Sequence, residues 1–152
     1  MNDQLALGIG WRQLAKRSQR SNRGTEVGNA LAEVATGIAE DVETFRDMMR
    51  RLGFRENPVK VLGALASERL GRLKLNGRIV RYSPLSRFDE LDFLTMGIEG
   101  KKQLWHTLES LADLTTRLPE VDFQHLIDRA EHQRTLLEPH RLQAGKAAFR
   151  TQ

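Results

Sequence analysis

The chain has 152 residues, no cysteine, 24 Lys and Arg against 20 Asp and Glu, and a net charge of +4. This length suits one domain around one core, and the missing cysteines exclude disulfides, thiolate metal sites and thiol catalysis. The start lacks the apolar run of a signal peptide and no later stretch approaches 18 apolar residues, which predicts a soluble, cytoplasmic protein that does not enter a membrane.

Eighteen Arg against six Lys is the bias of a GC-rich bacterial genome. Residues 1–25 hold Arg12, Lys16, Arg17, Arg20 and Arg23 against Asp3 alone, so the net charge sits there and residues 26–152 are balanced. The expected organisation is a basic N-terminal arm, 1–25, followed by a helical domain, 26–152.

In the arm, Leu5, Ile9 and Leu14 have loose helical spacing with Trp11 alongside, interrupted by Gly8 and Gly10. A short extra helix over 3–20 is one outcome, and a polar hinge over 18–24 joins it to the body. Residues 26–52 repeat apolar side chains at Val27, Leu31, Val34, Ile38, Val42, Phe45, Met49 and Leu52, one face of a helix, with Thr25 as cap. A second helix starts at Pro58 and runs through Leu62, Leu65 and Leu73 to Asn76-Gly77. A linker over 78–86 follows, with Ile79, Val80 and Tyr82 extended. The third helix, about 86–117, carries Leu91, Leu94, Ile98, Trp105 and Leu108, and the fourth, about 119–149, carries Phe123, Leu126, Ile127, Ala130, Leu137 and Ala144. The predicted fold is all-α, an antiparallel four-helix bundle.

That helix order and length resemble the ferritin-like superfamily over roughly residues 26–149. The family's di-iron sites need Glu-x-x-His on two helices with further inward Glu. Here His106, His125, His132 and His140 are preceded at that spacing by Gln103, Asp122, Arg129 and Leu137, so no metal residue carries over and a metal-free relative without a cofactor is implied. The stretch from Arg87 to Trp105 also looks like a segment of small helical proteins of GC-rich bacteria, which implies no activity.

Four acids of the first long helix, Glu33, Glu40, Glu43 and Asp47, point away from its apolar stripe and should face water. Other polar groups fall on apolar faces: Glu90, Lys101, Lys102 and Glu109 beside Leu91, Ile98 and Trp105, and Gln133, His140 and Arg141 in line with Leu126, Leu137 and Ala144. Two readings are open. They form an inter-helix network that sets register, or they line a pocket with His140 or Glu90 as a proton-transfer group. Gly97 and Gly100, unfavourable in a helix interior, point to close approach by another helix or a ligand, and Pro139 should bend the fourth helix.

Arg69, Arg72, Lys74, Arg78, Arg81 and Arg87 form the densest cationic stretch of the body, paired with nearby acids or facing an anionic partner. No phosphate-binding loop, nucleophile elbow or zinc-protease motif is present. The expectation is therefore non-enzymatic association with a protein partner or a second copy, with Leu5, Leu7, Ile9 and Trp11 of the arm either as docking residues or completing the chain's own bundle. A ferritin-like enzyme or small-ligand carrier is the alternative, and a basic nucleic-acid adaptor a third.

Overall fold

A four-residue turn organises the first half of the chain. Asn22, 1% exposed, donates from Nδ2 to the Ser18 carbonyl at 2.8 Å, and Thr25 Oγ1 donates to the Asn22 carbonyl at 2.7 Å. Gly24 takes φ of 80°, the left-handed conformation that glycine adopts without a Cβ penalty. The computed structural model describes residues 1–60, 63 and 82–150, and this turn joins its first two helices, α1 (Asn2–Ser21) and α2 (Glu26–Arg51). Thr25 Oγ1 accepts from the Gly28 amide at 3.1 Å, the N-cap that the sequence indicated.

The later helices are α3 (Pro84–Glu109), α4 (Ala112–Arg117) and α5 (Phe123–Ala148). Ser83 caps α3 through the Ser86 amide, with Pro84 at the first helical position. Asp122 caps α5 through the His125 amide at 2.8 Å. The expected third helix therefore starts two residues earlier, at Pro84, and breaks at Ser110–Leu111 before α4. The fourth starts at Phe123, leaving Pro119 outside it, and runs unbroken through Pro139. Pro58–Lys60 are helical, while the rest of the expected 58–76 helix, and the extended residues 79 and 80, lie outside the described residues.

Two apolar clusters join the four long helices end by end. Leu5 and Ile9 of α1 meet Phe45, Met48 and Met49 of α2, Trp105 and Leu108 of α3, and Phe123, Leu126 and Ile127 of α5. At the other end Leu14 and Ala15 meet Val27, Leu31 and Val34, then Leu91 and Leu94, then Leu137 and Ala144. α3 packs most closely on α5 and α1 on α2, with lighter contacts from α2 to α5 and from α1 to α3. The connection from α2 to α3 leaves beside the start of α1, where the Asn57 amide donates to Asn2 Oδ1 at 2.9 Å and Lys60 pairs with Asp3 at 2.7 Å. It returns beside the end of α1, where Asn22 Nδ2 donates to the Tyr82 hydroxyl at 2.8 Å. No described residue is in a strand, and no helix among the described residues is long and apolar enough to cross a membrane.

Of the two outcomes open for residues 1–25, an arm or an extra helix, the helix is the one found, and it is longer than the expected 3–20. Residues 2–21 are a complete helix whose Leu5, Ile9 and Ala15 are at most 1% exposed, because apolar burial along α2 outweighs the propensity cost of Gly8 and Gly10. Ile9→Ala should cost about 3 kcal/mol as a core truncation, whereas Leu7→Ala, at a position 53% exposed, should change stability by less than about 0.5 kcal/mol. Deleting residues 1–20 should abolish cooperative unfolding in urea followed by circular dichroism. A truncated chain that melts like the full one would return these residues to the status of an appendage.

Candidate functional site

The apolar stripe of α2 runs Val34, Ile38, Val42, Phe45 and contains one acid, Asp41, three residues after Ile38 and four before Phe45. It is 3% exposed. An isolated carboxylate there would be very costly, and it is met from two other helices. Lys101 Nζ of α3 donates to its Oδ2, and Arg129 of α5 donates to its Oδ1. Lys101 Nζ also donates to Gln133 Oε1 of α5 at 2.6 Å. Arg129 reaches outward with its other terminal nitrogen to Glu40 at 2.8 Å. One buried acid thus ties α2, α3 and α5 at mid-height. Burial pushes the Lys101 ammonium below its ordinary range, Asp41 opposes that shift, and Arg129 reinforces it.

On the α1 side of this network lies a groove of about 330 Å3 between α1 and α3, floored by α2. Its apolar walls include Leu5, Trp11, Phe45, Leu104 and Trp105, and Lys101 and Asp41 reach it from below. Leu7 and Met96, 53% and 58% exposed, stand on its lining. At Gly97 the two helices touch: a Cβ there would lie 2.5 Å from the Trp11 indole, so only glycine lets α1 rest its tryptophan on α3. Gly100, one turn on, also lines the groove, and a Cβ there would meet nothing within 4 Å. The Trp105 ring is 1% exposed and tilted against Phe45 at 5.9 Å, yet its Nε1–H has no partner among the described residues.

The seven inward polar candidates separate into different groups. Lys101 and Gln133 belong to the Asp41 network. Glu90 lies eleven residues before Lys101, about 16 Å along the helix, where it accepts from Arg17 Nε and from the Tyr82 hydroxyl, each at 3.0 Å. Burial, then the Glu90 charge, raise the Tyr82 pKa. Arg141 pairs with Asp92 at 3.0 Å and Glu138 at 2.8 Å. Lys102 pairs with Glu131 at 2.8 Å, and Arg134 and Lys102 together lower the Glu131 pKa to about 2. Glu109 sits at the end of α3 near His106, its side chain 40% exposed. His140 lies two turns beyond Gln133, so Glu90, Lys101, Gln133 and His140 do not share one pocket.

Of the arm residues, Leu5 and Ile9 are core, and Leu7 and Trp11 line the groove. Arg87 stacks over Tyr82 at 5.7 Å, while Arg69, Arg72, Lys74, Arg78 and Arg81 lie outside the described residues. The outward acids of α2 are exposed, and three clasp neighbouring helices: Glu33 on His132, Glu40 on Arg129, and Glu43 on Arg12. A recess of about 460 Å3 between α2 and α5 is lined by the first two of these pairs, whose polar groups already engage each other. Among the described residues no three His, Asp or Glu side chains gather as a metal site. No family model, curated protein or solved structure matches the chain.

Asp41→Asn should cost about 3–5 kcal/mol by leaving two interior cations against a neutral amide. Lys101→Met should cost less, because Asp41 keeps Arg129. Because burial lowers the Lys101 pKa, the unfolded chain binds more protons than the folded one between that lowered value and the ordinary 10.5. The Lys101 contribution to stability therefore rises with pH through that window. Urea midpoints between pH 7 and 10 should show this rise in the parent and its loss in Lys101→Met; parallel profiles would contradict it.

Proposed function

We propose that the protein is a ferritin-like, antiparallel four-helix bundle that lacks the ferritin metal ligands and acts without catalysis, by binding a small, mainly apolar ligand in the groove between α1 and α3. The end-by-end pairing supports the bundle: α1 and α2 form a hairpin, Asn57 and Tyr82 lie beside opposite ends of α1, and α3 and α5 form the second pair. Among the described residues α1 is one of four long helices, and the expected 58–76 helix lies outside them beyond Lys60 apart from Gly63. Arginine bias and a cysteine-free composition support a bacterial, cytoplasmic setting.

The observation that carries the ligand reading is the groove itself. Small-molecule sites are concave, of roughly 300–1,000 Å3, lined mostly by apolar and aromatic side chains with a few placed polar groups. A groove of about 330 Å3 with two tryptophans, a phenylalanine and one ion pair has that character. Docking through the whole N-terminal segment has less support, because Leu5 and Ile9 could reach a partner only by leaving the core. Exposure of Leu7 and Met96 favours one second reading, a protein partner or second copy laid over the groove.

The chain's two tryptophans, Trp11 and Trp105, both line the groove, so their emission reports its occupancy. Titration with 1-octanol should shift that emission with one-to-one stoichiometry and raise the melting temperature. Gly100→Phe places a ring where open space exists and should remove the response while leaving the fold intact. An unchanged response in Gly100→Phe would place the ligand elsewhere, and a dimer on sedimentation that this substitution dissociates would assign the groove to a second copy.

A further inference from the structure

We propose that the end of the bundle where α1 and α5 finish and α3 begins binds single-stranded nucleic acid, phosphates along a row of unpaired cations and bases against the Phe149 and Tyr82 rings. Elsewhere the cations of the described residues are matched by acids of the fold. Apart from Lys16 and Arg55, every Lys or Arg without an acid partner among the described residues stands at this end: Arg20 and Arg23 at the α1–α2 turn, Arg87 in the first turn of α3, Lys146 and Arg150 at the close of α5. Contacts cross the end from helix to helix. Asn22 Nδ2 donates to the Tyr82 hydroxyl at 2.8 Å, the Arg87 guanidinium lies over the Tyr82 ring at 5.7 Å, and the Phe88 and Phe149 rings meet edge to face at 5.2 Å. Phe149, steadied there, is 65% exposed, the most exposed aromatic side chain of the described residues. Residues 61–81, which lead into Tyr82, hold Arg69, Arg72, Lys74, Arg78 and Arg81 against Glu68 alone, so they bring further positive charge and not the acids that would neutralise it.

Any polyanion seeks cations, and the placement of acids and rings selects among polyanions. α3 neighbours both α1 and α5, while α2 holds the remaining corner. That corner begins with Glu26, exposed and without a partner among the described residues. A flat anionic surface laid on the end would meet Glu26 together with the cations. A strand that follows α1 to α3 to α5 passes the basic corners and leaves Glu26 aside. Asp89, the other acid here without a partner among the described residues, lies in the second turn of α3 and is partly buried. The path covers two helix-to-helix steps of about 8–10 Å each, room for roughly four nucleotides, at the small end of single-strand sites. Rings decide the form of the nucleic acid. Unpaired bases stack on exposed aromatic faces and on guanidinium planes whatever their sequence, whereas in a duplex they are stacked on one another and give Phe149 no free face.

The full-length protein is titrated into a short fluorescein-labelled oligodeoxythymidine, followed by anisotropy over a series of salt concentrations. The single strand is expected to bind at least about fivefold more tightly than a duplex of the same length, the reverse of what charge density alone dictates. The logarithm of the binding constant should fall by about 2–3.5 per decade of salt, at about 0.7 for each of three to five phosphates. Arg20→Gln combined with Arg23→Gln should reduce that slope by about 1.4. Phe149→Ala should weaken binding about tenfold at an unchanged slope. All three side chains are exposed, so these variants keep the fold, which circular dichroism verifies. Gly100→Phe should bind the oligonucleotide like the parent, which separates this surface from the groove. Duplex bound as tightly as single strand, or Phe149→Ala without effect, would overturn the stacking and with it the nucleic acid. Tighter capture by phosphatidylglycerol vesicles than by the oligonucleotide would assign the end to an anionic bilayer instead, and absence of oligonucleotide binding at low salt would overturn the proposal outright.

Discussion

A carboxylate held at 3% exposure has to be compensated where it stands, and the arrangement of three helices follows from how Asp41 achieves this. Its two oxygens face two different helices, Lys101 on α3 and Arg129 on α5, while Gln133 joins the two by accepting from Lys101. Hydrophobic burial is tolerant of small rotations and slides. An ion pair in a low-dielectric interior is not, since a one-residue slip of α3 would carry Lys101 about 1.5 Å along the axis and rotate it by about 100°. The network therefore selects one register out of several that the apolar stripes alone would accept. Its Gln133 amide is pressed against α2, where a Cβ at Gly37 would lie 2.3 Å from Nε2, so α2 and α5 are also fixed in distance at this height.

Because Asp41, Lys101 and Gln133 lock α2, α3 and α5 together, α1 is attached differently. It is bound to α2 through the buried Asn22 turn and its apolar face, and to α3 through Trp11 lying on Gly97, the Arg17–Glu90 ion pair and the apolar cluster around Trp105. The lighter contact between α1 and α3 leaves a groove rather than a sealed seam. Three glycines line that groove, Gly97 and Gly100 on α3 and Gly8 on α1, and of these Gly100 is the one at which a Cβ would meet open space. Glycine inside a helix costs stability relative to alanine, about 1 kcal/mol each. At Gly97 the Trp11 contact explains that cost, whereas at Gly100 no described atom lies close enough for packing to do so.

Periodicity made much of this legible and also marks where legibility ended. A 3.6-residue repeat specifies the direction in which a side chain points, which is why the outward Glu33, Glu40, Glu43 and Asp47 and the inward Lys101 and Gln133 could be read. It does not specify height, so Glu90 and His140 shared a face with the network without sharing its level. Asp41 carried a readable signal, lying between Ile38 and Phe45 on the stripe, but an acid reads as solvated until its partners, 60 and 88 residues away, are known. α1 was obscured by Gly8 and Gly10, which weaken a local pattern that burial against three other helices restores.

Of the eight buried side-chain polar atoms without a protein partner among the described residues, Trp105 Nε1 is the one whose residue lines the α1–α3 groove. Buried polar atoms almost always find partners, and those that do not call for a reason in strain, water or a ligand. Trp105 could have been phenylalanine at modest packing cost, and the fold would then bury no indole N–H. Lys101 could have been methionine, with Asp41 still neutralised by Arg129. Both residues stand on the α3 wall of the apolar groove, beside the level where the Asp41 network ties α2, α3 and α5. A recognition group gains precision from rigid support, and here the rigid support is the same Asp41 network that sets the register. The wall of the groove and the uniqueness of the fold then share one origin, with α1, in lighter contact with α3, supplying the opposite wall.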